Sequence, residues 1–215
     1  MPEMALPQLH ACRMRVAKLE PNGVPDPGAG NLIVTTALVQ FTFSPVYRDG
    51  DETTVVNACG EICLDYRGPD NLRRGDFNLA ICSHDPVLMS FLSEGETIQD
   101  GDAVGFAAPP IGPVSGSGIS VELWVKRIND GDLDPDFPYA RWALPKLKNL
   151  REGEHTFQNG EKNPAFSGQM YENPNWFDGP LNDWPSTSDR MYQWIPVTAN
   201  DLPAATDGAV ELVAS

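Results

Sequence analysis

Ser83, His84 and Asp85 are the three residue types of a hydrolytic triad, and here they stand side by side in the chain. A hydroxyl nucleophile works only when a base is held against it and a third group orients that base. Consecutive residues at a helix start cannot meet in that geometry, and the serine-rich stretch 115 to 120 contains no G-x-S-x-G turn. His84 is therefore read as a surface or capping histidine, and His10 and His155 as isolated strand residues. Cys59 and Cys63 are four apart, which on a strand puts both thiols on one face, where Cys12 or Cys82 could join them from neighbouring strands. No C-x-x-C pair is present and "GEI" between them is not a zinc knuckle, so the four cysteines are expected as reduced, buried thiols. Asp130, Asp132, Asp134 and Asp136 alternate as in a calcium loop. Pro135 then stands where that loop needs glycine and Arg141 where it needs glutamate, so a solvated acidic turn is expected. Gly28 and Gly30 begin a dinucleotide fingerprint that fails at Ile33. The reading is of no catalytic residue, no metal ligand set and no cofactor, and hence not of an enzyme.

Composition narrows the function further. The 215 residues suffice for one generous domain that hides about 70% of its unfolded surface, and 41% of them are hydrophobic. With 30 acidic against 15 basic side chains the formal charge is -15, which repels phosphate and argues against a protein that grips nucleic acid. The basic runs "RR" at 73 to 74 and "KLK" at 146 to 148 are too short to reverse that. No apolar stretch is long enough to span a membrane, and "MPEMALPQLH" lacks the charged start and apolar centre of a secretory signal. The expectation is a protein made and kept in solution in a cytoplasm.

Elements must position whatever the chain does, and nearly all of them read as strands. In "HACRMRVAKL", Cys12, Met14 and Val16 alternate with Arg13, Arg15 and Ala17. "LIVTTALVQFTFSPVY" gives one or two strands after a Pro/Gly loop. "TTVVNACGEICLDY" and "DFNLAIC" continue the pattern, with "RDGDE" and "RGPDN" as turns. One helix stands out in "SHDPVLMSFLSEG": Asp85 as N-cap, Pro86 at the first helical position and Gly95 as the stop, with Leu88, Phe91 and Leu92 on one face packing onto a sheet. "GDAVGFAAPPIGPVSGSG" reads as a loop. In "ISVELWVKRI", Ile119, Val121, Leu123 and Val125 form one face and Ser120, Glu122, Trp124 and Lys126 the other, as in a half-buried strand. "YARWALPKLK", "EHTFQNG" with a turn at Asn159-Gly160, "AFSGQMYE" and "RMYQWIPV" complete the series. The fold class expected is mainly β, an antiparallel β-sandwich or barrel with one short flanking α-helix and long loops. A single domain covers residues 1 to 200, and a flexible tail follows from 201 to 215.

"YENPNWFDGPLNDWP", residues 171 to 185, breaks the strand pattern. Pro174, Pro180 and Pro185 exclude regular structure, yet Tyr171, Trp176, Phe177 and Trp184 must be buried against something. These four are the candidate subunit-interface residues, since aromatic anchors favour interface cores and unpaired strand edges invite a second chain. They could equally cover their own sandwich, and the sequence leaves the two alternatives even.

Together "TTALVQFTFSPVYRDGDE", "NACGEICLDYRGPDNLRRGDFNLAICSHDPVLMSFL", "ISVELWVKRI" and "FSGQMYENPNWFDGP" resemble the major tail proteins, the tail tube subunits, of long-tailed bacteriophages, especially those of actinobacterial hosts. The resemblance spans roughly residues 9 to 197. It implies a non-enzymatic virion protein, assembled in the host cytoplasm, whose copies form hexameric rings that stack into a tube, with a long loop reaching the next ring. The partners it implies are further copies of the chain and the terminator, tape-measure and distal tail proteins, with DNA passing through unbound and no membrane contact. Six copies would bring roughly ninety negative charges to each ring, which suits a conduit that must not hold DNA. The insert "WFDGPLNDWP" is long for that family and keeps another virion role open: head decoration, tail terminator or distal tail. A carbohydrate-binding β-sandwich with Tyr171, Trp176 and Trp184 as its stacking platform is the alternative from a different class.

Overall fold

The computed structural model describes residues 8–82, 84–112, 116–155, 163–181, 183–185, 190–206 and 208–212. The chain is mainly β. Among the described residues fourteen strands and one α-helix follow in the order β1 (Gln8–Lys18), β2 (Gly28–Thr35), β3 (Leu38–Arg48), β4 (Glu52–Val56), β5 (Ile62–Arg67), β6 (Asn71–Ile81), α1 (Pro86–Ser93), β7 (Glu96–Asp100) and β8 (Ala103–Ala107). After these come β9 (Ile119–Asn129), β10 (Asp132–Leu133), β11 (Tyr139–Glu152), β12 (Ala165–Met170), β13 (Gln193–Val197) and β14 (Val210–Leu212). Every pairing is antiparallel. The main sheet runs β14-β2-β1-β9-β11-β12-β6-β3, with β10 added to β9 and β13 to β11. Its path is open at β14 and β3, so it is not a closed barrel. It curls until β1 touches β3, although four strands lie between them in the sheet.

The inside of that curl is the core. Met14 and Val16 of β1, Phe77 and Leu79 of β6, Val121 of β9, Leu144 and Leu147 of β11 and Phe166 and Met170 of β12 all point into it. Helix α1 closes one side, with Leu88, Phe91 and Leu92 buried as their spacing predicts. Asp85 caps it as expected, its carboxylate accepting from the Val87 and Leu88 amides. The stop differs, because Glu94 takes the left-handed C-cap conformation at φ 59° and Gly95 does not. Gly95 serves packing, since a Cβ there would drive into the Phe106 ring and the Ala107 carbonyl oxygen.

Five other expectations change. Strand β9 is buried on both faces: Ser120, Glu122 and Trp124 are as hidden as Val121, with Trp184 bonded to Glu122 and the Arg15 and Arg141 guanidinium groups stacked over Trp124. Asp134 is also buried, accepting from the Asp136 and Phe137 amides and pairing with Arg127 at 3.5 Å, so only part of the acidic run is solvated. Cys59, Cys63 and Cys82 are exposed and Cys12 is half-buried, because the first two ride on a projection and Cys82 lies just past the end of β6. The stretch expected as a loop from Gly101 onward instead supplies the turn, Gly101 (φ 61°) and Asp102, and strand β8 of the β7–β8 hairpin. The segment expected as a loose tail adds β14 to the β2 edge and ties Thr206 to Val34. The Asn159-Gly160 turn lies outside the described residues, while β11 itself runs on through Glu152.

Candidate functional site

Tyr171, Trp176, Phe177 and Trp184, four residues from one loop, have different surroundings. Trp176 is fully buried and Trp184 is 5% exposed, whereas Phe177 is 53% exposed and Tyr171 is half-buried. The two tryptophans meet at 5.9 Å between ring centroids and pack on Leu19 and Ala143, on the outer side of the sheet. Asn173, fully buried, donates to the carbonyls of Gly23 (2.7 Å) and Pro145 (3.1 Å), and Asn175 donates to Asn22. The loop thus clasps the β1–β2 turn. Gly179 permits this course, with φ +86° and a Trp184 carbon 2.8 Å from where a Cβ would stand.

Charges lie under those rings. Glu122 accepts from Arg15, from Arg141 (2.6 Å) and from the Trp184 indole N–H. Asp183, at the loop's far end, binds the same two guanidinium groups at 3.2 and 2.7 Å. Arg141 stacks over Trp184 at 4.6 Å and over Trp124 at 5.2 Å. Burial raises the Asp183 carboxyl, but Arg15 and Arg141 outweigh it and hold it below its ordinary value. A buried carboxylate is tolerated where its lone pairs are filled and its charge matched, as here. The cluster fastens the loop to the body. It also removes Trp176 and Trp184 from any sugar-stacking platform, which needs open ring faces.

A second set of rings lies elsewhere, two of them packed against the core and two exposed. Phe43, Tyr192, Trp142 and Trp194 form a row with successive centroids 5.0, 6.2 and 5.9 Å apart, and Trp194 is 43% exposed. Trp194 and Trp142 are a cross-strand pair of β13 and β11. Sequence alternation gives Trp194 a strand position, but only the curl of the sheet brings Phe43 of β3 to the same row.

The most exposed feature is an arm. Strands β3 and β6 pair along their length, stop at Arg48 and Asn71, and resume as β4 and β5. All eleven residues of β4 and β5 are exposed, among them Val55, Val56, Leu64, Tyr66 and, at 64%, Ile62. At the break Gly50 crosses so close to Gly68 that a Cβ would collide with the Gly68 carbonyl oxygen. The tip is closed by Asn57, whose side chain accepts from the Cys59 and Glu61 amides at 2.9 Å each. The sequence shows these as strands, with nothing to mark them as uncovered.

Reactive residue types do not converge in the same way. His84 and His155, expected apart, bring their rings within 6.3 Å at the surface, and His155 meets Glu152 at 2.9 Å. His10 lies exposed on β1 with φ 52°. Among the described residues no three His, Cys, Asp or Glu side chains are grouped to hold a metal ion. In comparisons with known proteins, no family model matches the chain and no curated protein matches it.

Proposed function

We propose that this protein is a structural subunit that works by joining copies of itself, as a tail tube protein of a long-tailed phage, in stacked rings that conduct DNA. The observation that carries this reading is the distal arm. A two-stranded hairpin is marginal in water on its own, and this one presents apolar side chains on a tip with no covering layer. Such a projection gains stability by lying against another molecule, and its unpaired edges offer backbone donors and acceptors to a neighbouring strand. The body contributes further edges at β3 and β13 that pair with no other strand among the described residues. The surplus of acid over base adds the physical condition a DNA conduit needs, since phosphate is not attracted to it.

The test is electron microscopy and analytical ultracentrifugation of the full chain across protein concentration, alone and with tail-initiator and tape-measure proteins. Rings or tubes are expected. A species that remains monomeric under every condition would overturn the reading. Abundance in intact particles separates a tube subunit from a head-decoration, terminator or distal tail protein, because the tube needs the most copies.

A further inference from the structure

The outer side of the long sheet is covered over only half its width. The tryptophan loop lies over β1, β9 and the first half of β11, and ends at Tyr171, whose hydroxyl donates to Gln169 at 2.6 Å. Beyond that border the outer face of β11, β12, β6 and β3 carries no layer among the described residues, and Thr42, Ser44, Asp76, Asn78 and Arg151 on it are exposed. Register places its residues in rows: Lys148, Gln169, Asp76 and Ser44 in one, and Arg151, Ser167, Asn78 and Thr42 in the next. Between them is a polar groove of about 310 Å³.

The charge of this face opposes that of the chain. Arg74 and Asp76 neutralise each other at 3.0 Å. Lys146, Lys148 and Arg151 remain, with no ion-pair partner among the described residues. Burial, and then the neighbouring charge of Lys148, lower the Lys146 pKa, as expected of cations crowded without an acid. Three free cations in a protein of charge -15 make a surface matched to an acidic partner.

The same chain carries that partner. From Gly75 to Val125 there is no lysine or arginine. The β7–β8 hairpin projects from this stretch with Glu96, Ile98 and Asp100 side by side on the face opposite Phe106, which packs on the core. Asp102 follows in the turn, and Glu96, Ile98, Asp100 and Asp102 are all exposed. Across from Ile98 stands Gly105, so this face is flat as well as acidic. Hairpin and sheet face are both uncovered within one chain, so they are not covering each other.

We infer that the outer face of β11, β12, β6 and β3 seats the acidic β7–β8 hairpin of a second copy. The inference rests on the self-assembly reading and names one of its contacts. The joint is heterologous, one surface meeting a different surface, so repetition continues in one direction until it closes into a ring or extends as a filament.

Three variants of the full chain test it: K148E/R151E, E96K/D100K and the fourfold charge swap, each first shown to keep the wild-type melting curve as a dilute monomer. All the substituted positions are exposed or half-buried, so folding is expected to survive. Sedimentation should show that each double variant needs about tenfold or more protein to assemble, and that the swap returns toward wild type. In mixed light and heavy isotope-labelled wild type, zero-length carbodiimide should link Lys146 or Lys148 of one copy to Glu96 or Asp100 of another. If both double variants assemble like wild type, the contact is wrong while self-assembly stands. Loss confined to K148E/R151E, without intermolecular links to the hairpin, would overturn the inference and give the face to a different acidic partner. A wild type that never assembles would overturn both readings.

Discussion

Glu122 holds together more of this molecule than its place on a strand suggests. Two arginines and an indole converge on it, so Glu122→Ala leaves Arg15 and Arg141 buried with one half-exposed carboxylate between them. Urea unfolding is expected to register a loss of about 3–5 kcal/mol. Asp183 gives the same cluster a pH dependence. Its folded pKa lies below the unfolded value, so its contribution is complete above that value and is lost as pH falls through the depressed one. Melting temperature should drop on acidification below about pH 4, and the drop should be shallower in Asp183→Asn, which lacks the contribution throughout. Trp176→Ala should cost about 3–5 kcal/mol of monomer stability, whereas Phe177→Ala should change it by less than about 0.5 kcal/mol. The sequence showed the rings of this loop and the need to bury them. It did not show Arg15, Glu122, Arg141 and Asp183 as one group, because they come from three strands and a loop and their alternation matches that of a solvent face.

At the scale of elements, patterns that depend on neighbours along the chain were legible and those that depend on cover were not. The helix, its Asp85 cap and its apolar face follow from spacing alone, whereas "RDGDE" and "RGPDN", expected as turns, are breaks across which β3 runs on into β4 and β5 into β6, the chain reversing only near Asn57. Strand β9 misled because alternation reports polarity, while its second face is met by Arg15 of β1, Arg141 of β11 and Trp184 of a distant loop. The β7–β8 hairpin was hidden by small residues, although Asp100-Gly101 is a turn signal. The arm yields a prediction of its own. Replacing residues 51 to 68 with a short turn removes strands that touch none of the core, so monomer melting should stay nearly unchanged while sedimentation shows assembly lost.

For the whole molecule, an open curled sheet with one helix and two projecting hairpins balances a modest interior against a large set of unpaired edges. If copies bind one another and the unfolded chains do not, mass action makes the melting temperature rise with protein concentration. Calorimetry over a hundredfold range of concentration is expected to show that rise in the wild type and to lose it with the arm removed. Because the arm's distal half lies outside the interior, an armless copy still offers neighbours an intact body and its β7–β8 hairpin but lacks the contact that the arm makes. Mixed in small proportion with normal subunits, it would be a chain stopper, shortening the polymer in proportion to its dose and revealing the direction of growth.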